Sequence, residues 1–298
     1  LSELDLADEG LRYDLTVPLA RVVANYKDLP AFYKRYQIQP VWRADRPGRG
    51  RFREFYQCDV DITGTTSLVA EAEVCGAVSE VLQSLGFHDF EVRINHRALL
   101  RAMIRAAGID LALEGSALVA VDKLDKIGFE KVIKELDGRG INNQQAGVLL
   151  ALMCCEQLLE PTSELHKHLA EIGCSQLMQW TVSGISVVSD YSEEELSTRR
   201  NELLISYLER LLPADDEQGR AALAELSQTF NLLAKTPAGA HACLSPHLAR
   251  GLSYYTGAIF EIAVEDLAGS LGGGGRYDNL VGMFGKHDIP AVGFSLGL

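Results

Sequence analysis

The sequence predicts an α+β protein in which an antiparallel sheet flanked by helices is interrupted by a mainly helical insertion. Three observations carry that expectation. Strand-like alternation is confined to the two ends of the chain, 1–113 and 238–298. The stretch between them, 114–237, has apolar residues at helical spacing and few strand signals. No strand–helix–strand rhythm repeats, which argues against a doubly wound parallel sheet.

In the first block, Arg35 to Arg43 alternates like a strand. Ala44 to Arg51 is polar and holds Pro47, Gly48 and Gly50, and Phe52 to Ile62 alternates again. That is the pattern of a long antiparallel hairpin. Leu68, Ala72, Cys75, Val78 and Leu82 predict a helix over 66–85, stopped by Gly86. Phe90 to Ile94 reads as a strand and Arg97 to Ala107 as a helix. Helices follow at Phe129–Leu136, Gln144–Leu159, Ser163–Leu169, Glu193–Leu212 and Gln218–Leu233, with Pro161, Pro213 and Pro237 as punctuation. The last block offers a strand over Ser253–Val264, a glycine run, a helix near Asp278–Phe284 and an apolar stretch from Ala291.

The chain is 47% hydrophobic and 23% charged, an ordinary globular balance. No apolar run approaches the about 20 residues that cross a bilayer, so no membrane partner is expected. The six cysteines show no C-x-x-C spacing. They read as reduced thiols of a cytoplasmic protein rather than a zinc site or disulfide framework. The sequence opens at Leu1 with no signal-like stretch, so residues are expected before it.

A net charge of -13 argues against a broad nucleic-acid surface. The charge is uneven, however. Lys34, Arg35, Arg43, Arg46, Arg49, Arg51 and Arg53 crowd one segment. Such a focused patch suits a nucleotide phosphate chain, although a solvated basic loop has the same composition. On the second hairpin strand, Tyr56, Cys58, Val60 and Ile62 share one face, expected to meet the core. Phe55, Gln57, Asp59, Asp61 and Thr63 share the other. Such a face is either simply solvated or lines a cleft, where an amide and two carboxylates can hold an ammonium group, because ionised acids only accept. One hairpin thus offers cation-binding acceptors beside arginine forks that match phosphate oxygens. Further on, Arg250 precedes the pair Tyr254–Tyr255, whose hydroxyls can bond an imidazole while the rings pack it. Gly272 to Gly275 is not a P-loop, since no Gly-Lys-Ser/Thr follows. It reads as a plain turn or as backbone that a ligand approaches closely.

Together these segments resemble the histidyl-tRNA synthetases. Phe32 to Asp61 is similar to that family's class II motif 2, and Leu11 to Pro18 (L-R-Y-D-L-T-V-P) to the segment that touches the amino acid. Ala249 to Gly257 (A-R-G-L-S-Y-Y-T-G) resembles the histidine signature. Gly274 to Val281, followed by Pro290 to Leu298, resembles the approach to motif 3. The resemblance implies a class II synthetase-like sheet and a role for each matching residue. Asp14 and Thr16, with Leu15 between them, would meet the α-amino group. Gln57 and Asp61 would bind the amino acid, and Tyr254, Tyr255 and Tyr277 would line the histidine pocket. Arg43 would meet the α-phosphate, Asp45 the nucleotide and Arg51 the outer phosphates. Arg250 would act with Arg43 in forming the adenylate.

The resemblance further implies L-histidine, ATP with Mg²⁺ and tRNA(His) as substrates and partners, a homodimer, and no organic prosthetic group or protein-built metal cage. Several departures accompany it. Asp14 stands where glutamate is common, and Ser253 where aspartate is usual. Motif 1 is not found and is expected before Leu1. The chain stops before the Glu-Arg of motif 3, and no anticodon-binding domain follows, so it reads as a fragment. Synthetase-like paralogues that regulate ATP phosphoribosyltransferase or sense tRNA keep the fold without aminoacylation. The intact set of Arg43, Gln57, Asp61, Arg250, Tyr254 and Tyr255 favours the enzyme over these.

Overall fold

The computed structural model describes residues 9–48, 50–155, 193–250, 254–264 and 269–297. Arg49, Ser253, the end of the expected Gln144–Leu159 helix and all of the expected Ser163–Leu169 helix lie outside them. A seven-stranded sheet runs β1-β2-β7-β6-β5-β3-β4. Its strands are β1 Tyr33–Trp42, β2 Glu54–Thr63, β3 Glu91–His96, β4 Ala242–Leu244, β5 Ala258–Ala263, β6 Gly272–Arg276 and β7 Ala291–Gly297. Neighbours are antiparallel except β3 and β4. Among the described residues the α-helices are α1 Thr16–Asn25, α2 Val69–Ser84, α3 Arg97–Ala106, α4 Glu114–Val121, α5 Leu124–Ile127, α6 Phe129–Asp137, α7 Asn143–Met153, α8 Glu193–Leu211 and α9 Glu217–Leu233.

Cross-strand partners share a face, which divides the sheet chemically. Ile62, Val92, Ile94, Phe260, Ile262, Phe294 and Leu296 point to one side and are buried. Phe260 and Phe294 stack there with ring centroids 5.9 Å apart. Helices α2, α3 and α9 cover this side, and the apolar core continues through them into α4, α6 and α7. Caps fix the covering helices. His96 accepts the Ala98 amide at the start of α3, and Asn142 and Gln145 form a reciprocal capping box on α7. Asp216 caps α9 through the Gly219 amide and also bonds Arg105 of α3, at 2.5 Å.

The glycine run is not a plain turn, one of its two readings from the sequence. It is strand β6, in the middle of the sheet between β5 and β7. A Cβ at Gly272 would lie 2.5 Å from the Ser295 carbonyl oxygen, and one at Gly274 2.2 Å from that of Gly293. The strands approach too closely for side chains on that face, so glycine is needed despite its poor strand propensity. The helix expected near Asp278–Phe284 is only a 3₁₀ turn, Val281–Met283.

Candidate functional site

The hairpin places Arg35 directly opposite Asp61 in the β1–β2 register. Their side chains are 9% and 2% exposed, and Arg35 donates to Asp61 Oδ2 from Nε at 3.1 Å and approaches it with Nη2 at 2.9 Å. Arg35 also donates to the Leu15 carbonyl at 2.9 Å and to Gln37 Oε1. Just after β6, Tyr277 donates its hydroxyl to Asp61 Oδ1 at 2.6 Å. Burial raises the Asp61 carboxyl above the usual range, with Arg35 and Tyr277 pulling it back. The crowded basic segment is thus divided. Arg35 turns inward to a carboxylate, and Lys34 pairs with Glu73.

The face of β2 expected to meet the core does so through Ile62, with Cys58 and Val60 packed against it, and Tyr56 is the exception. Gln57, Asp59 and Asp61 are buried, whereas Tyr56 is 54% exposed and Cys58 and Val60 are half-buried. The polar face is enclosed because the segment leading into α1, Arg35 and Tyr277 close over it. Asp14 is buried there and accepts the Val17 amide at 3.2 Å as α1 begins at Thr16. Burial raises its carboxyl, opposed by the Val17 amide, Arg43 and Arg35. Gln57 donates Nε2 to Ser295 Oγ of β7 at 2.6 Å. Among the described residues, neither Gln57 Oε1 nor Asp59 Oδ1 has a hydrogen-bond partner.

Asp59 is pushed up to about 7 by burial, which its hydrogen bond with Ser295 opposes and nearby Asp61 reinforces. Unfolded, an aspartate titrates near 3.9. Between about pH 4 and 7 the folded protein therefore holds a proton that the unfolded chain has released, and stability falls as pH rises through that window. The whole effect is about 4 kcal/mol at most. Asp59→Asn is expected to flatten this slope in urea denaturation at about pH 5 and about pH 7; an unchanged slope would assign it to other groups.

Tyr254 and Tyr255 meet edge-to-face at 4.6 Å, and Tyr254 and Tyr277 at 6.4 Å, so the three rings gather beside Asp61. Gly293 of β7 sits across from Asp61. A Cβ at Gly293 would lie 2.0 Å from Asp61 Oδ1, and the carboxylate is held in place by Tyr277 on Oδ1 and Arg35 on Oδ2. Gly293→Ala is expected to cost about 1–3 kcal/mol of stability through overpacking, read by chemical denaturation; no loss would mean that Asp61 moves freely.

The remaining arginines stand apart from this buried cluster. Arg43 is partly exposed, with its guanidinium 5.4 Å from the Tyr13 ring centroid and 5.1 Å from that of Phe55. Its Nε donates to the Tyr13 carbonyl at 3.3 Å. Arg51 pairs with Asp45 at 3.0 Å, and Arg53 donates to the Asp45 carbonyl at 3.2 Å. Arg250 pairs with Glu261 of β5. Those two residues also line a cleft of about 1090 Å³ with Arg93, Asp122, His241 and His247. Arg93 and Glu261 are cross-strand partners, so the cleft opens on the polar side of the sheet. Asp61 and Tyr277 are not among its lining residues. Sequence reasoning missed Arg35 and Ser295 as members of the site, and only the strand registers bring them to Asp61 and Gln57.

A family described as histidyl-tRNA synthetase matches the chain over residues 8–194 and 195–298. A histidine–tRNA ligase of Gloeobacter violaceus is 40% identical over 98% of this chain and 57% of its own length. The crystal structure of histidyl-tRNA synthetase from Nostoc sp. PCC 7120 superposes with a TM-score of 0.70 at 27% identity, covering 96% of this chain and 57% of that one. A structure described as an ATP phosphoribosyltransferase regulatory subunit/histidyl-tRNA synthetase, from Bacillus halodurans C, shares the fold at 24% identity and a TM-score of 0.59, over 96% of this chain and 62% of that one. The chain thus spans little more than half the length of the first two proteins. Across the length it does have, the match is nearly complete, and the chain belongs to the histidyl-tRNA synthetase family.

Proposed function

We propose that the chain is the catalytic core of a histidine–tRNA ligase, acting in the cytoplasm, that activates L-histidine with ATP and charges tRNA(His). The observation that carries this reading is the juxtaposition of a buried acidic face (Asp14, Asp59 and Asp61) with partly exposed Arg43 and exposed Arg51 on one hairpin and its approach. An ammonium and an imidazole suit the first, and a triphosphate suits the second. Asp14, Leu15, Thr16, Gln57, Asp61, Tyr254, Tyr255 and Tyr277 would hold the amino acid.

In the first step a carboxylate oxygen of histidine bonds to the α-phosphorus. The bond to the bridging oxygen breaks, and pyrophosphate leaves. Arg43 and Arg250 stabilise the charge on the five-coordinate phosphorus, where fixed cations act most strongly. The pocket supplies alignment of the attacking oxygen. In the second step a hydroxyl of the terminal ribose attacks the acyl carbon and AMP leaves. Mg²⁺ would travel with ATP and shield its outer phosphates. Asp45 and Arg51, paired with each other, would part to meet the nucleotide.

The helical block of 114–237 serves in this reading as an inserted module that α9 anchors on α2 and α3. A homodimer is supported by an apolar patch at the β1 edge, where Tyr36, Ile38 and Tyr56 are 79%, 51% and 54% exposed. Ile38→Glu is expected to shift the full-length protein towards monomer in sedimentation; an undisturbed dimer would place the interface elsewhere. The central test is histidine-dependent ATP–pyrophosphate exchange by the full-length protein. Exchange with no amino acid would sink the enzyme reading, and exchange with a different one would sink the specificity.

A further inference from the structure

We infer that Tyr13 is a positioning residue, whose ring and backbone carbonyl together aim the Arg43 guanidinium at the α-phosphate. The inference rests on the proposed function and adds to it a residue to which the resemblance assigns no role. Arg12 fastens the chain before α1 to the end of β1. Its carbonyl accepts the Trp42 amide at 3.0 Å, its Nε donates to the Pro40 carbonyl at 3.0 Å, and its guanidinium lies 5.8 Å from the Trp42 ring centroid. Two residues on, Asp14 accepts the Val17 amide as α1 begins. Tyr13 is fixed between these anchors, beside Arg43, the residue that follows β1.

Three contacts then converge on one guanidinium. The Tyr13 carbonyl accepts from Arg43 Nε at 3.3 Å. The Tyr13 ring centroid lies 5.4 Å from the guanidinium, and that of Phe55 on β2 lies 5.1 Å from it. A long side chain left free must give up its rotamers when it meets the substrate, and these contacts restrict them beforehand. A ring face attracts the cation without using its N–H groups. With Nε committed to a backbone carbonyl, Nη1 and Nη2 remain as the edge that can bridge two phosphate oxygens. Tyr13 also directly precedes Asp14. Burial raises the Tyr254 hydroxyl, and Tyr13 is close enough to add to that rise. Tyr13 thus joins the residues proposed for the amino acid to the arginine proposed for the phosphate. Its side chain is 55% exposed, so removing the ring opens no cavity in the core.

The test is a double-mutant cycle in histidine-dependent ATP–pyrophosphate exchange by the full-length enzyme. Tyr13→Leu removes the ring and keeps the carbonyl. It is expected to lower kcat by about 3- to 30-fold, the span of a cation–π contact from exposed to desolvated, and to leave KM for histidine within about twofold. Tyr13→Phe keeps the ring face and is expected to stay within about twofold of the wild-type kcat. In an Arg43→Ala background, where there is no guanidinium to aim, Tyr13→Leu is expected to cost less than about twofold more. Losses that multiply would show that Tyr13 acts independently of Arg43 and would overturn the inference. So would an unchanged kcat in Tyr13→Leu, or a rise in KM for histidine as large as the fall in kcat, the mark of a general disturbance of the segment. Absence of exchange in the wild-type protein would instead overturn the function on which the inference rests.

Discussion

Arg276→Met is expected to lower stability by about 3–5 kcal/mol, the range for removing one partner of a buried ion pair. Arg276 closes β6, with its side chain 7% exposed, and Glu71 of α2 opposite it is fully buried. The pair is bidentate, Nε to Oε1 at 2.5 Å and Nη2 to Oε2 at 2.8 Å. Nη1 is spent on the Thr65 carbonyl and Asp278, each at 3.0 Å. Without the guanidinium, a carboxylate stays inside the apolar layer between α2 and the sheet. It is then a buried charge without its partner. Glu71→Met alone leaves the complementary cation and costs a similar amount. The double variant, two apolar chains of similar length, is expected to recover most of the loss, because the desolvation penalty of both charges disappears with them. Urea denaturation of the four proteins closes the cycle. Additive losses would mean that the pair is not coupled across the sheet. The consequence extends to the site, since Tyr277 follows Arg276 directly and donates to Asp61.

That ion pair also marks where the sequence stopped being legible. The two hairpin strands were readable because alternation over ten residues survives where one face of each strand is polar. Helices α2, α3, α6, α8 and α9 were readable from their spacing, to within a few residues at their ends. Alternation tells which residues share a face; it does not tell which face is enclosed. Gln57, Asp59 and Asp61 look like a solvated row until Arg35, Ser295 and Tyr277 arrive from 26 to more than 200 residues away. Arg35 was recoverable in principle, since folding the hairpin about its loop sets it against Asp61. Glu71 was not, because nothing local distinguishes it from an exposed glutamate of an amphipathic helix. The glycine strand inverts local propensity altogether. Its reason lies in the carbonyls of β7, which no window around residue 272 contains.

Arg250→Ala is expected to slow histidine-dependent pyrophosphate exchange by about 10²–10³-fold, the range for removing one donor aimed at transition-state charge. Histidine affinity is expected to change little. The asymmetry follows from where the side chain stands. Arg250 is half exposed and pairs with Glu261 of β5, on the polar side of the sheet. It makes none of the bonds that fix Asp61 or Tyr277. A residue so placed contributes little to holding the amino acid and can meet charge that appears only as the phosphorus becomes five-coordinate. Arg250→Lys separates a point charge from a fork. Lysine keeps the positive charge but cannot bridge two oxygens in a plane, so it is expected to recover only part of the rate. Glu261 gives a further handle, because it holds the guanidinium beside the cleft. Rapid-quench measurement of adenylate formation with saturating histidine and ATP isolates this step from binding. An unchanged rate in the alanine variant would remove Arg250 from the chemistry and leave Arg43 as the principal cation on the α-phosphate.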